Sequence, residues 1–201
     1  VMQLRKVCDH PHLFRPRRRK GETAGAGDDS DDPAAIVAGS SKMQLLEKLL
    51  PALKRTGHRV VIFSQFTHML DVLERYVTAR GYRYSRLDGS TNRVQRAIDI
   101  RCYNQPKSKV FLYLMSTRAG GLGINLYTAD TVILYDSDWN PHVDLQAQDR
   151  AHRIGQKKVV HVYRLVTRGT VEDRVVARAD KKLFLDRMVN QDVVRINAAR
   201  A

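Results

Sequence analysis

The chain has 201 residues, 43% of them hydrophobic and 28% charged, and its 35 lysines and arginines outweigh 21 aspartates and glutamates to leave a net charge of +14. That is chain enough for one domain with a substantial core, while no apolar run reaches the ~18 residues that cross a bilayer, no signal-peptide pattern is present, and two cysteines, Cys8 and Cys102, are too few for a disulfide scaffold. A sequence pI of about 10.1 points to an anionic polymer as partner.

From the N-terminus, Cys8-Asp9-His10-Pro11-His12 has spacing reminiscent of metal ligands, but a structural zinc needs about four ligands and no second pair accompanies Cys102, so a packed entry segment is expected and no metal. Composition then breaks. Between Arg15 and Ser40 a basic run, Arg17 to Lys20, is followed by Asp28, Asp29, Asp31 and Asp32 among Gly, Ala, Pro and Ser, which predicts a mobile loop over 15–40. Its five cations and five anions cancel, so the +14 belongs to the folded remainder.

A helix capped by Ser40 or Ser41 is predicted to about Arg55, with Met43, Leu46, Leu49, Leu50 and Leu53 at helical spacing. Buried strand Val60 to Phe63 follows, then a helix from Thr67 to Arg80 ended by Gly81. Strand Tyr82 to Leu87, helix Arg93 to Tyr103, strands Val110 to Met115 and Thr131 to Tyr135, helix His142 to His152 and strand Val159 to Val166 complete the alternation. Thr170 with Asp173 forms a capping box for a last helix reaching Met188. Strands separated by helices define an α/β fold with a mainly parallel sheet and helices on both faces. In such sheets the functional loops lie at the strands' C-terminal ends, where Ser64, Asp88, Ser116 and Asp136 all fall.

The segment Gln146-Ala147-Gln148-Asp149-Arg150-Ala151-His152-Arg153-Ile154-Gly155-Gln156 is the most informative in the chain. Read as helix, it sets Arg150 and Arg153 on one face, able to converge on one anion with planar forks of donors. Upstream, Leu114 to Leu126 is an apolar strand opening into a glycine loop that lets backbone N–H groups, Ser116 and Thr117 approach phosphates. Gly121 and Gly123 give G-x-G, but Leu126 stands where a dinucleotide fingerprint needs a third glycine, and no Gly-Lys-Ser or Gly-Lys-Thr makes a Walker A loop.

Ser116 to Leu126, Asp130 to Pro141 and Asp144 to Lys158 resemble motifs V, Va and VI of the Swi/Snf family of DNA-translocating ATPases. Val60 to Phe66 and Arg86 to Thr91 resemble motifs IV and IVa, and Arg5 to Pro11 matches the family's entry into this lobe. Ser41-Lys42-Met43, Ala129 to Gln156 and Val171 to Met188 are most similar to the imitation-switch (ISWI) group of nucleosome-sliding remodellers. The resemblance implies a second RecA-like helicase lobe: entry segment 1–14, the 15–40 loop, a helicase C-terminal domain over 41–168, a brace helix over 169–190 and a tail from 191.

It also implies roles. Arg150 and Arg153 would act as arginine fingers on the γ-phosphate of ATP, and Gln146 would position phosphate or water. Gly121, Gly123 and Asn125 would meet the ribose edge of the nucleotide, although Asn125 reads equally well as a loop-capping amide. Ser64, Gln65, Gly89, Ser90, Ser116, Thr117 and Arg118 would contact the phosphate backbone of duplex DNA, with Arg86 as a nearby charge partner. Trp139 and Asn140 would sit beside DNA, against an equal expectation that the sole tryptophan is core. ATP with Mg2+ would be held mainly by a first lobe, since neither Walker A nor an Asp-Glu pair occurs here, and the chain reads as the second half of a nuclear motor acting on nucleosomes with other complex subunits. His142 stands where the family commonly has a polar amide, and the pattern fades after Gln191. A non-enzymatic duplex-binding lobe and a recombination or repair translocase of the same family remain as alternatives.

Overall fold

A computed structural model of the chain describes residues 1–16, 32–119 and 123–198, with the backbone alone for residue 187 and residues 189–198. The helices are α1 (Met2–Asp9), α2 (Pro33–Ala38), α3 (Ser41–Arg55), α4 (Thr67–Ala79), α5 (Arg93–Asn104), α6 (Pro141–Gln148) and α7 (Val171–Ala198). The strands are β1 (Val60–Ser64), β2 (Tyr84–Leu87), β3 (Leu112–Ser116), β4 (Thr131–Leu134) and β5 (His161–Arg164).

All five strands run parallel in the order β2-β3-β1-β4-β5. Central β1 and β3 end level, with Ser64 opposite Ser116, and β1 pairs on its other side with β4, Phe63 opposite Leu134. The three middle strands are apolar on both faces, as a sheet covered by helices on both sides requires. Alternation sorts their side chains. Val60, Ile62, Leu112, Leu114, Ile133 and Tyr135 pack with Ile36, Met43, Leu46, Leu50, Met69 and Leu73 of α2, α3 and α4. Val61, Phe63, Tyr113, Met115, Val132 and Leu134 pack on the other face with Tyr103 of α5, Ala147 of α6 and Ala151.

Three expectations change. The break predicted through Ser40 ends earlier: Asp32 accepts from Ala34 N and Ala35 N, Pro33 occupies the first helical position, and Ile36 is fully buried. Residues 17–31 of that segment lie outside the described residues. The last helix runs on to Ala198, past the boundary expected near residue 190. Helix α6 stops at Gln148, so Arg150 and Arg153 lie in turns beyond it and share no helix face. Leu126 N donates to the Arg150 carbonyl at 2.9 Å, and burial of Ala147 and Ala151 against the sheet tightens the chain into short turns up to Gly155, whose φ is +103°.

Other local signals appear as read. Gly81 ends α4 with φ +65°. Thr170 Oγ1 accepts from Glu172 N at 3.1 Å, whereas Asp173 reaches back one residue further than a standard box, to Gly169 N. Ser40 occupies the cap position of α3, but its hydroxyl donates to the Asp9 carbonyl at 2.7 Å.

Candidate nucleic-acid and nucleotide interface

Because every strand points the same way, the loops after β1, β2, β3 and β4 form one rim. Its underside is polar and closed. Asp136, 1% exposed, accepts from Ser64 Oγ at 2.5 Å and from Gln65 N at 2.9 Å, and burial pushes its carboxyl up. Arg5, reaching in from α1, donates to Gln65 Oε1 and to the Ser137 carbonyl. Behind them the Lys42 ammonium donates to Asp9 Oδ1 (2.9 Å), to Glu172 Oε1 (2.5 Å) and to the Tyr135 carbonyl (2.8 Å), joining α1, α3, the exit of β4 and α7. Burial, then the nearby Asp136 charge, raises the Asp9 carboxyl to about 8.

The entry segment is packed through its histidines. His10 Nε2 donates to the Ile36 carbonyl at 2.8 Å while Nδ1 accepts from His12 N at 3.0 Å, which fixes the His10 tautomer. Burial holds the His10 imidazole low and brings His12 down to about 4. Among the described residues, no three His, Cys, Asp or Glu side chains gather to hold a metal ion.

The rim's upper surface divides the residues expected at DNA. Gly89, Ser90, Arg118, Trp139 and Asn140 are exposed. Gln65 is half-buried, and the hydroxyl-bearing Ser64, Ser116 and Thr117 are buried, Ser64 spending its proton on Asp136. Arg86 does not serve as a free charge: its guanidinium meets Asp71 (2.8 Å), Glu74 (2.5 Å) and Asp88 (2.7 Å), three carboxylates that fix the turn after β2. Asp88 in turn accepts from Ser90 N and Oγ, and those bonds with Arg86 hold its carboxyl below the usual range despite burial. The tryptophan is not core; its ring carries the Arg178 guanidinium of α7 at 5.8 Å. Nearby, His142 Nε2 lies 2.8 Å from Asp186 Oδ2, so α7 lies against the rim along two turns.

The arginine segment and the glycine loop meet. Arg153 Nη1 donates to the Gly123 and Ile124 carbonyls at 3.4 Å, and Gly123 takes φ +70°. Arg150 is 9% exposed, its Nε is buried without a partner, and burial together with the Arg153 charge lowers its pKa. Both border an open cleft of about 520 Å³, lined also by Asp149, His152, Ile154, Gln156 and Lys158. Gln156 closes the segment's base, donating to the Ala129 carbonyl at 2.6 Å and accepting from Lys158 N. Asn125 gives its carbonyl to Asn104 Nδ2, while its own Oδ1 is buried without a partner. Gln146 is exposed on α6, outside the cleft lining, and Gly121 lies outside the described residues.

The sequence placed Asp136 at the rim without giving it a role, and singled out neither Arg5 nor Lys42 as functional. An acid directly after an apolar strand was a usable sign for Asp136; nothing local marks the partners of Arg5 or Lys42.

A parallel sheet with this strand order, a polar C-terminal rim and an arginine-lined cleft at a glycine loop defines a RecA-like helicase lobe. A family model described as the helicase conserved C-terminal domain matches residues 41–155, and the chain belongs to that family. It is 56% identical over 191 residues to an ISWI chromatin-remodeling complex ATPase of Arabidopsis thaliana, covering 95% of this chain and 17% of that protein. The same identity and coverage of this chain hold for the human SWI/SNF-related matrix-associated actin-dependent regulator of chromatin subfamily A member 1, of which 18% is covered. The crystal structure of the C-terminal part of the Fun30 ATPase domain superposes with a TM-score of 0.68 at 35% identity, over 89% of this chain and 54% of that one. The chain thus spans under a fifth of the length of these two curated relatives.

Proposed function

We propose that the chain is the second motor lobe of a DNA-dependent ATPase that translocates on duplex DNA and slides or remodels nucleosomes in the nucleus. Its partners on this reading are duplex DNA, the histones of the nucleosome, an N-terminal RecA-like lobe and other subunits of a remodelling complex. The observation that carries it is that Arg150 and Arg153 line one cleft while Arg153 is bonded to the Gly123 carbonyl.

A polyphosphate fits the residues there. Arg150 Nε is a buried donor without an acceptor, and Asn125 Oδ1 is a buried acceptor suited to a ribose hydroxyl. When bound, ATP with Mg2+, held mainly by the first lobe, supplies the phosphoryl transfer. Arg150 and Arg153 would place fixed positive charge where negative charge develops, and Gly123 would keep the backbone close, whereas Gln146, exposed on α6 outside the cleft lining, is not placed to orient a phosphate there. At the rim, Arg118, Trp139 and Asn140 meet the DNA backbone without reading bases, with Gln65, Gly89 and Ser90 beside them, the Ser90 N–H and hydroxyl being held by Asp88. Ser64, Ser116 and Thr117 lie beneath and support those loops.

The experiment is a replacement: this chain substitutes for the matching segment of the Arabidopsis ATPase, and DNA-stimulated ATP hydrolysis is measured. Activity that falls roughly 10³-fold or more in Arg150→Ala or Arg153→Ala supports the motor reading. A chimera that folds and binds duplex DNA but hydrolyses nothing leaves a DNA-binding lobe without enzymatic use.

A further inference from the structure

Arg5 sits in α1, outside the sheet, and is 2% exposed. A buried guanidinium is costly unless its donors are matched. Two different rim loops match them: Nη1 donates to Gln65 Oε1 at 3.2 Å, and Nη2 donates to the Ser137 carbonyl at 2.6 Å and lies 3.9 Å from Asp136 Oδ1. The centroid of the Phe66 ring lies 5.5 Å from the guanidinium carbon. Asp136 completes the junction by accepting from Ser64 Oγ and Gln65 N. Loops 64–66 and 136–140, which leave neighbouring strands, are therefore one body. Neither Arg5 nor Asp136 reaches the surface.

We propose that Arg5 and Asp136 form a positioning pair that fixes the spacing between the loop bearing Gln65 and the loop bearing Trp139 and Asn140, so that the two meet duplex DNA as one edge. This rests on reading the rim as the DNA interface. Apart from the Ser64 hydroxyl at the last residue of β1, the bonds run to loop groups, the Ser137 carbonyl and both the backbone and side chain of Gln65, so they set loop geometry more than they hold the sheet. A guanidinium is needed because its planar fork spans acceptors on separate loops; an ammonium is a single point charge.

Trp139, the only tryptophan, reports on the second loop. Its emission and acrylamide quenching, and the affinity of the chain for a labelled duplex across a salt series, are measured for the wild type, Arg5→Lys, Gln65→Leu, their double variant and Arg118→Ala. Arg5→Lys is expected to keep its helical circular dichroism and cooperative melting while Trp139 quenching rises and duplex Kd rises roughly three- to tenfold. Gln65→Leu cuts the same bridge from its half-buried end and should move Trp139 in the same direction, with the double variant changing less than the sum of the two. Wild-type quenching in folded Arg5→Lys, or strict additivity, overturns the positioning role. If Arg5→Lys does not fold, Gln65→Leu alone decides, and an unmoved Trp139 signal overturns it. The underlying reading fails separately: an Arg118→Ala variant with unchanged Kd and salt dependence removes the rim as the DNA interface, and the pair's DNA role with it.

Discussion

The ammonium of Lys42 lies 2.5 Å from Glu172 Oε1, both side chains nearly out of solvent, and this contact ties helix α3 to the first turn of α7. Glu172 is held from the far side by Thr167 N at 2.8 Å, and Lys42 by Asp9 and the Tyr135 carbonyl. Two cations, Lys42 and Arg5, thus face three buried carboxylates, Asp9, Asp136 and Glu172.

Removing the central cation leaves Glu172 buried without its counter-charge and takes the Lys42 donors from Asp9 and the Tyr135 carbonyl, with Arg5 still beside Asp136. Lys42→Met should cost about 3–5 kcal/mol, the usual range for breaking a buried ion pair from one side. Urea denaturation followed by far-UV circular dichroism measures it. A loss under ~1 kcal/mol, typical of an exposed pair, would mean that water reaches the cluster.

The same cluster sets a pH dependence. Asp9 titrates near 3.8 unfolded and about 8 folded, so between those values the folded chain holds a proton that the unfolded chain has released. Stability contributed by that proton is complete below pH 4 and declines as pH rises toward 8, at no more than about 1.4 kcal/mol per pH unit. His10 and His12 act oppositely: their lowered values subtract stability as pH falls from 6.5, for His12 down to about 4. Above pH 6.5 only the carboxyl slope of these three remains. Melting temperatures should therefore drop from pH 6.5 to 8 in the wild type, and Asp9→Asn should flatten that slope.

Two arginines of similar sequence context should behave differently. Arg86→Gln strips the counter-charge from Asp71, Glu74 and Asp88 and should lower stability by roughly 1–3 kcal/mol. Arg118→Ala, on an exposed side chain, should leave stability within ~0.5 kcal/mol. It should reduce the slope of log affinity against log salt by about 0.9, one phosphate's worth. Denaturation and fluorescence anisotropy on the same samples separate the two outcomes.

The order of strands and helices was legible because pattern and punctuation agree: short apolar runs in β1, β3 and β4, helical spacing in α3, and Gly81 after α4. The rim followed from strand direction alone. What was illegible lies in partners distant along the chain. Arg86 looked like a free cation because Asp71 and Glu74 come from the helix before it, and their approach depends on how α4 packs. The arginine pair looked helical because Gln146 to His152 has good helix formers, whereas the Arg150 carbonyl is claimed by Leu126 N across a loop. Helix α2 was readable from Asp32-Pro33, but the surrounding Gly, Ala and Ser masked a single buried Ile36.

Gly155 tests that loop. Its φ of +103° disfavours any side chain, although an added Cβ would make only an ordinary 3.6 Å contact with Tyr127. Gly155→Ala should cost about 1–3 kcal/mol, and in the chimera it should lower ATP turnover more than duplex affinity, because the displaced turn carries Arg153 and not the rim. Equal losses in both would show that the strain spreads through the lobe.

Register has a mechanical corollary. With β1 between β3 and β4, all three parallel and Ser64 level with Ser116, a pull at the rim directed away from the sheet runs along the strand axes. Tension in that direction loads the ladder in shear, so many hydrogen bonds must yield together before a strand slips. A pull across the sheet would instead open them singly from an edge. The part of any load on this rim that lies along the strands therefore meets the stiff direction of the sheet, and the part that lies across them meets the soft one.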